Sequence, residues 1–135
     1  MTTGGTILII DDDAVTLETY ATMLRLEGYA IRTATTLATA WEAWNTGRPD
    51  AIILDLRLEG PLDGVDFLRQ LRRLDGRATP VAMVTGQYGL DDVIKHEIKL
   101  LGAHIVLKPI WIDALASLAR TLLGGVKTGA TLEPP

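Results

Sequence analysis

Ile7-Leu8-Ile9-Ile10-Asp11-Asp12-Asp13 is an apolar run that stops abruptly at three carboxylates. Three more segments repeat the arrangement. Ala51-Ile52-Ile53-Leu54 stops at Asp55, Val81-Ala82-Met83-Val84 stops at Thr85, and Ile105-Val106-Leu107 stops at Lys108-Pro109. Short apolar runs bounded by polar residues read as strands buried on both faces of a parallel sheet. In an open α/β sheet, ligands bind beyond the carboxyl ends of the strands. Carboxylates, a hydroxyl and an ammonium are therefore expected to converge on one crevice.

Helical patterns alternate with these runs. After Asp13, the apolar residues Val15, Leu17, Tyr20, Met23, Leu24 and Leu26 recur at helical spacing, and Gly28 supplies a stop. A short strand over 29–34 follows. A second helix is expected over about 36–45, with Leu37, Ala40, Trp41 and Trp44 on one stripe and both tryptophans packed in the core. Gly47-Arg48-Pro49 turns the chain back to the sheet. A third helix over about 65–74 carries Val65, Leu68 and Leu71. A fourth lies within 90–101 and is closed by Gly102, and a fifth runs over about 111–123 before Gly124-Gly125. The alternation predicts an α/β fold: a (βα)5 doubly wound, five-stranded parallel sheet of order 2-1-3-4-5, flavodoxin-like in architecture. Residues 5–123 form the domain. Residues 124–135 read as a flexible tail or the stub of a linker.

Composition agrees with one ordinary globular core. The chain has 135 residues, 47% hydrophobic and 22% charged. It contains no cysteine, which removes disulfides, thiolate metal sites and a cysteine nucleophile. No apolar stretch reaches the length of a membrane span, and no basic-then-apolar leader opens the chain, so a soluble cytoplasmic protein is expected. The net charge is −4. Arg69, Arg72 and Arg73 cluster locally, and their expected role is the solvated face of a helix rather than a nucleic-acid patch.

Strand-end carboxylates repel one another unless something compensates. A hard divalent cation such as Mg²⁺ suits carboxylate oxygens, and Mn²⁺ serves the same role. Lys108 adds a mobile positive charge. A metal, an ammonium and a hydroxyl donor together suit a phosphoryl group, whose transfer needs charge neutralisation and in-line placement. Asp55 sits centrally and can be the nucleophile. Asp11 and Asp12 then hold the metal, and Thr85 donates its hydroxyl to a phosphoryl oxygen. Asp13 reads instead as the N-cap of the first helix.

At this point the chain resembles the receiver domains of two-component response regulators over about residues 5–123. The resemblance rests on the Asp11-Asp12-Asp13 segment, on Pro49 to Leu58 around Asp55, on Asp63-Gly64, on Val84-Thr85 and on Leu107-Lys108-Pro109. It implies that Asp55 accepts phosphate from a histidine kinase or phosphotransfer protein. It also implies Mg²⁺ held by Asp11, Asp12, Asp55 and the backbone carbonyl of Arg57, and a cis peptide between Lys108 and Pro109. The face of helix four, strand five and helix five would change on phosphorylation and would be the homodimer face, and the output partner is unknown. The family's usual aromatic switch residue lies three positions before the lysine. Ile105 stands there, beside His104, so Thr85, Ile105 and His104 are the expected switch residues with no ring swing.

Three rivals share parts of the pattern. A haloacid-dehalogenase-type phosphatase would need a second acid two residues after the nucleophile, where Arg57 stands. A degenerate receiver that serves only as an interaction module would lack one of the acids or the lysine, and none is missing. A flavodoxin-like cofactor binder would need a Ser/Thr/Gly-rich loop after the first strand. On its charge, this chain is expected not to bind duplex DNA by itself. Salt-sensitive, sequence-specific retention on DNA at physiological ionic strength contradicts that expectation.

Overall fold

The structure is a computed structural model that describes residues 4–76, 78–86 and 90–128. Five strands and five helices alternate along the chain: β1 (Thr6–Ile10), α1 (Ala14–Leu26), β2 (Ala30–Ala34), α2 (Leu37–Thr46), β3 (Ala51–Asp55), α3 (Asp63–Asp75), β4 (Val81–Thr85), α4 (Asp92–Leu100), β5 (Ala103–Leu107) and α5 (Ile112–Thr128). All strand pairings are parallel, in the order β2-β1-β3-β4-β5. This is the doubly wound topology that the βα alternation predicts.

Successive side chains of a strand point to opposite faces, and the core divides accordingly. Leu8, Ile10, Ile52, Leu54 and Met83 pack with Trp44 of α2, Phe67 and Leu68 of α3 and Ile98 of α4. Ile7, Ile9, Ile53, Ala82 and Val84 pack with Leu17 and Leu24 of α1 and Leu115, Ala119 and Leu122 of α5. β3 and β4 are buried along their whole length. Each such side chain contributes roughly 1.5–3 kcal/mol when withdrawn from water. Trp41 and Trp44 belong to this core as expected. Trp41 stacks on Phe67 at 4.2 Å between ring centroids, and Arg48 lies 4.4 Å over the ring of Trp44.

Several local expectations need correcting. Val15 and Leu26 are 75% and 83% exposed, because the buried face of α1 is set by Leu17, Tyr20, Ala21 and Leu24. Tyr29 precedes β2 rather than opening it. α3 starts at Asp63, two residues early, and carries Asp63 and Asp66 in its first turn, where the helix dipole favours acids. α5 continues through Gly124-Gly125 to Thr128, so the segment expected to be a flexible tail begins as helix, and residues 129–135 lie outside the described residues. The arginines of α3 are a solvated face only in part. Arg69 donates to both carboxylate oxygens of Glu97 on α4, at 2.6 and 2.7 Å. Arg72 is nearly buried beside Asp75 and donates to the carbonyls of Leu101 and Thr79 at 2.7 and 2.8 Å. Only Arg73 of the three is exposed.

The turn from β3 into α3 depends on Gly64. Its amide donates to the Leu56 carbonyl at 2.8 Å, and a Cβ there would lie 2.4 Å from the Asp55 carbonyl and 2.8 Å from Leu56 Cα. Both obstacles are backbone, so neither can move aside cheaply. Gly64→Ala is expected to destabilise the fold by about 2–3 kcal/mol in urea denaturation, on the scale of overpacking in a closed core. An unchanged midpoint would contradict the packing described.

Candidate functional site

Register brings the candidate residues together. Ile10 pairs with Leu54, so Asp11 and Asp55, each one residue further on, stand side by side. Asp55 pairs with Val84, which sets Thr85 just beyond it. Thr85 pairs with Leu107, and Lys108 follows. The Lys108 amide donates to the Thr85 carbonyl at 2.8 Å, which continues the ladder past the strand end.

The Lys108 ammonium lies 3.2 Å from Asp55 Oδ2 and 3.3 Å from Asp11 Oδ2, bridging the two acids. Asp11, Asp55 and Thr85 are buried, at 3%, 6% and 2% exposure, whereas Asp12 is exposed at the rim. Asp11 Oδ1 accepts the Asp13 amide at 2.9 Å. Asp13 does cap α1: its carboxylate accepts the Val15 amide and the Thr16 hydroxyl at 3.2 and 2.7 Å. The Arg57 amide approaches Asp55 Oδ1 at 3.4 Å. Asp12, Asp55, Arg57, Thr85, Gly86 and Lys108 line an open cavity of about 350 Å³. Asp11, Asp12 and Asp55 each offer a carboxylate oxygen, all within 4.8 Å of one another, so the trio could hold a metal ion.

The electrostatics follow from burial. Withdrawal from water, reinforced by the neighbouring charge of Asp11, pushes the Asp55 carboxyl up to about 6, even though Lys108 pulls the other way. Burial also works against the Lys108 ammonium, but the charges of Asp55 and Asp11 outweigh it and hold that amine above its usual value. Asp13 is held below the usual carboxylate range, chiefly by its hydrogen bond from Thr16.

The remaining expected residues are placed as follows. The Lys108–Pro109 peptide bond is cis. Ile105 is half-buried against the core on the α2–α3–α4 side of the sheet, and His104 is exposed. Tyr20 is a contributor that sequence reasoning missed. It fits the apolar spacing of the first helix, and it packs in one core cluster with Ile110, two residues past the lysine. It thereby sets α1 against the loop that carries the ammonium. The available signal was a tyrosine at a buried helical position, whose hydroxyl needs a partner.

Comparison with known proteins agrees with this geometry. The family model described as "Response regulator receiver domain" matches residues 7–120. The transcriptional regulatory protein PrrA of Mycobacterium tuberculosis is 32% identical over 126 residues, covering 91% of this chain and 53% of that protein. The probable transcriptional regulatory protein TcrX of the same organism is 33% identical over 126 residues, covering 93% of this chain and 52% of that one. The chain thus spans about half the length of the curated relatives it matches. Among solved structures, the receiver domain of NtrX from Brucella abortus superposes with a TM-score of 0.77 at 28% identity, over 87% of this chain and 98% of that one. A CheY-like receiver domain protein of Methanospirillum hungatei gives 0.83 at 22% identity, over 96% and 100%, a likeness of fold.

The raised Asp55 carboxyl has a thermodynamic consequence. Between about pH 4 and pH 6 the folded chain holds a proton on Asp55 that the unfolded chain has released. More protons on the folded state means that this group's contribution to stability falls as pH rises through that window. In metal-free buffer, Asp55→Asn is expected to exceed wild type in unfolding free energy by on the order of 1–2 kcal/mol at pH 7.5. The gap should shrink as pH falls through that window and close at about pH 4. Urea titrations across pH test this, and a gap that does not vary with pH would contradict it.

Proposed function

The chain belongs to the response regulator receiver domains, and from that membership we propose that it is a phosphoacceptor that takes a phosphoryl group onto Asp55. The observation that carries the reading is the Lys108 ammonium shared between the buried carboxylates Asp55 and Asp11, at 3.2 and 3.3 Å. A buried acid that lines an open cavity beside an ammonium is suited to receive a dianionic group. With its carboxyl raised to about 6, Asp55 is mostly ionised at neutral pH and can act as a nucleophile.

In the proposed reaction a histidine kinase or a phosphotransfer protein supplies a phosphoryl group on an imidazole nitrogen. An Asp55 oxygen forms a bond to phosphorus as the phosphorus–nitrogen bond breaks, and the electron pair stays on the imidazole. Lys108 follows the added charge, and the Thr85 hydroxyl donates to a phosphoryl oxygen. The carboxylates of Asp11, Asp12 and Asp55 are hard oxygen donors that lie within 4.8 Å of one another and fit Mg²⁺ or Mn²⁺, and the Arg57 carbonyl would complete the set. When bound, that cation neutralises charge on the acids and on the incoming phosphoryl oxygens. The domain is a signalling module and turns over no separate substrate. It supplies these groups only for its own phosphorylation and dephosphorylation.

The expected readout is a surface. Val93, Leu100 and Leu107 expose apolar area on α4 and β5, at 73%, 62% and 44%. A homodimer or an output partner meeting the α4–β5–α5 face would cover them. Repacking of Ile105 and reorientation of His104 would couple Thr85 to that face, without an aromatic swing. No helix among the described residues is long and apolar enough to cross a membrane, consistent with a cytoplasmic location.

Incubation with acetyl phosphate and Mg²⁺ is expected to give a labile, hydroxylamine-sensitive adduct detectable by mass spectrometry. Asp55→Asn should carry none. Thr85→Ala should form it about tenfold more slowly, the scale of one charge-assisted hydrogen bond in the transition state. The same adduct on Asp55→Asn would overturn the assignment.

A further inference from the structure

The turn that follows Asp55 is held on both sides of Arg57. On one side, the Leu56 amide donates to the Val84 carbonyl at 2.9 Å, and the Leu56 carbonyl accepts the Gly64 amide at 2.8 Å. On the other, Leu58 is buried in the core, and its amide donates to the Gly60 carbonyl at 3.3 Å. Gly60 is in turn fixed by Asp63. The Asp63 carboxylate accepts the Gly60 amide at 2.6 Å, and the Asp63 amide donates back to the Gly60 carbonyl at 3.3 Å. An ionised acceptor makes the first of these the strong bond of the turn. The approach needs a glycine, because a Cβ on Gly60 would lie 2.8 Å from Asp63 Oδ1. Asp63 is itself held by the helix it opens, since Val65, Phe67 and Leu68 of α3 are buried. Among the described residues the Arg57 carbonyl accepts no hydrogen bond, and Arg57 lines the cavity with Asp12 and Asp55.

We propose that Asp63 is a positioning residue for the metal site: its bond to the Gly60 amide sets the turn that carries the Arg57 carbonyl, the neutral donor that would join Asp11, Asp12 and Asp55. The inference rests on the phosphoacceptor reading above and deepens its metal-binding part. The three carboxylates are brought within 4.8 Å of one another without help from this turn. The carbonyl depends on it. A donor on an unrestrained loop has to be ordered at the moment of binding, and that cost is subtracted from affinity. Partners that orient a ligand in this way typically change metal affinity by about 10–100-fold. If Asp63 served only as an acid in the first turn of α3, its charge would matter and its acceptor geometry would not. The two are separable, because asparagine keeps a carbonyl oxygen for the Gly60 amide and carries no charge.

Titration of the whole chain with Mg²⁺, followed by carbon-detected NMR, tests the positioning. In wild type, saturating Mg²⁺ should shift the carbonyl carbon of Arg57 together with the side-chain carboxyl carbons of Asp12 and Asp55. In Asp63→Ala the carboxyl carbons should still shift, the Arg57 carbonyl carbon should not, and Mg²⁺ should bind about tenfold more weakly. Asp63→Asn should restore the Arg57 shift and bind within about twofold of wild type. In the metal-free protein, the Gly60 amide should exchange with solvent about tenfold faster in Asp63→Ala than in Asp63→Asn. An Arg57 shift and an Mg²⁺ affinity in Asp63→Ala equal to those of wild type would overturn the proposal. So would an Asp63→Asn variant as weak as Asp63→Ala, which would leave only the charge. Either result leaves the phosphoacceptor reading standing, because Asp55 is read separately by its acetyl phosphate adduct. A wild type that neither responds to Mg²⁺ nor forms that adduct would overturn both.

Discussion

The bridge from Lys108 to Asp11 and Asp55 is the interaction on which the rest of the structure depends. Two buried carboxylates are set side by side because β1 and β3 pair in parallel with Ile10 opposite Leu54. A slip of one residue would turn every core side chain of either strand to the wrong face, so hydrophobic burial fixes the register and the register fixes the acids. Their burial and the repulsion between them are a cost of the fold, visible in the raised Asp55 carboxyl. Lys108 offsets part of that cost, and the surroundings are built to hold it there. Its amide is bonded to Thr85, and Ile110, just beyond it, packs with Tyr20 of α1 in the core. On the opposite side, Gly64 lets α3 approach the end of β3 closely enough that even a methyl group would collide with backbone.

The sequence made the sheet legible because parallel strands buried on both faces leave uninterrupted apolar runs, and each run ends where the chain meets the crevice. Asp11, Asp12, Asp55, Thr85 and Lys108 could be placed at one end of the molecule on that basis alone. Helix faces were less legible. Val15 and Leu26 fit a helical apolar spacing, but α1 is covered on one side only, by the sheet and α5, and both residues fall off the buried arc. The arginines of α3 were misread for a related reason. Local sequence cannot distinguish a solvated arginine from one whose partner, Glu97 or the Leu101 carbonyl, lies 28 or 29 residues away. Gly124-Gly125 carries helix-breaking propensity, yet helix continues through it to Thr128.

The two ends of the sheet are built for different work. At the carboxyl ends, charged side chains are concentrated and partly desolvated, and the cavity is open to a ligand. Around α3 and α4, charge is used as a fastener. Arg72 and Asp75 are buried together with further hydrogen bonds to backbone, the arrangement in which a buried pair is tolerated. The exposed apolar residues Val93, Leu100 and Leu107 lie on α4 and β5, where the proposed switch would be read.

The central claim is that Asp55 is a buried carboxylate held in like-charge tension with Asp11 and only partly relieved by Lys108. A carbon-detected NMR titration of the Asp55 side-chain carboxyl tests it most directly. In metal-free buffer the midpoint should fall at about 6, and saturating Mg²⁺ should move it to lower pH as the cation replaces the proton. A midpoint in the ordinary aspartate range near 4 that does not respond to Mg²⁺ would contradict the account.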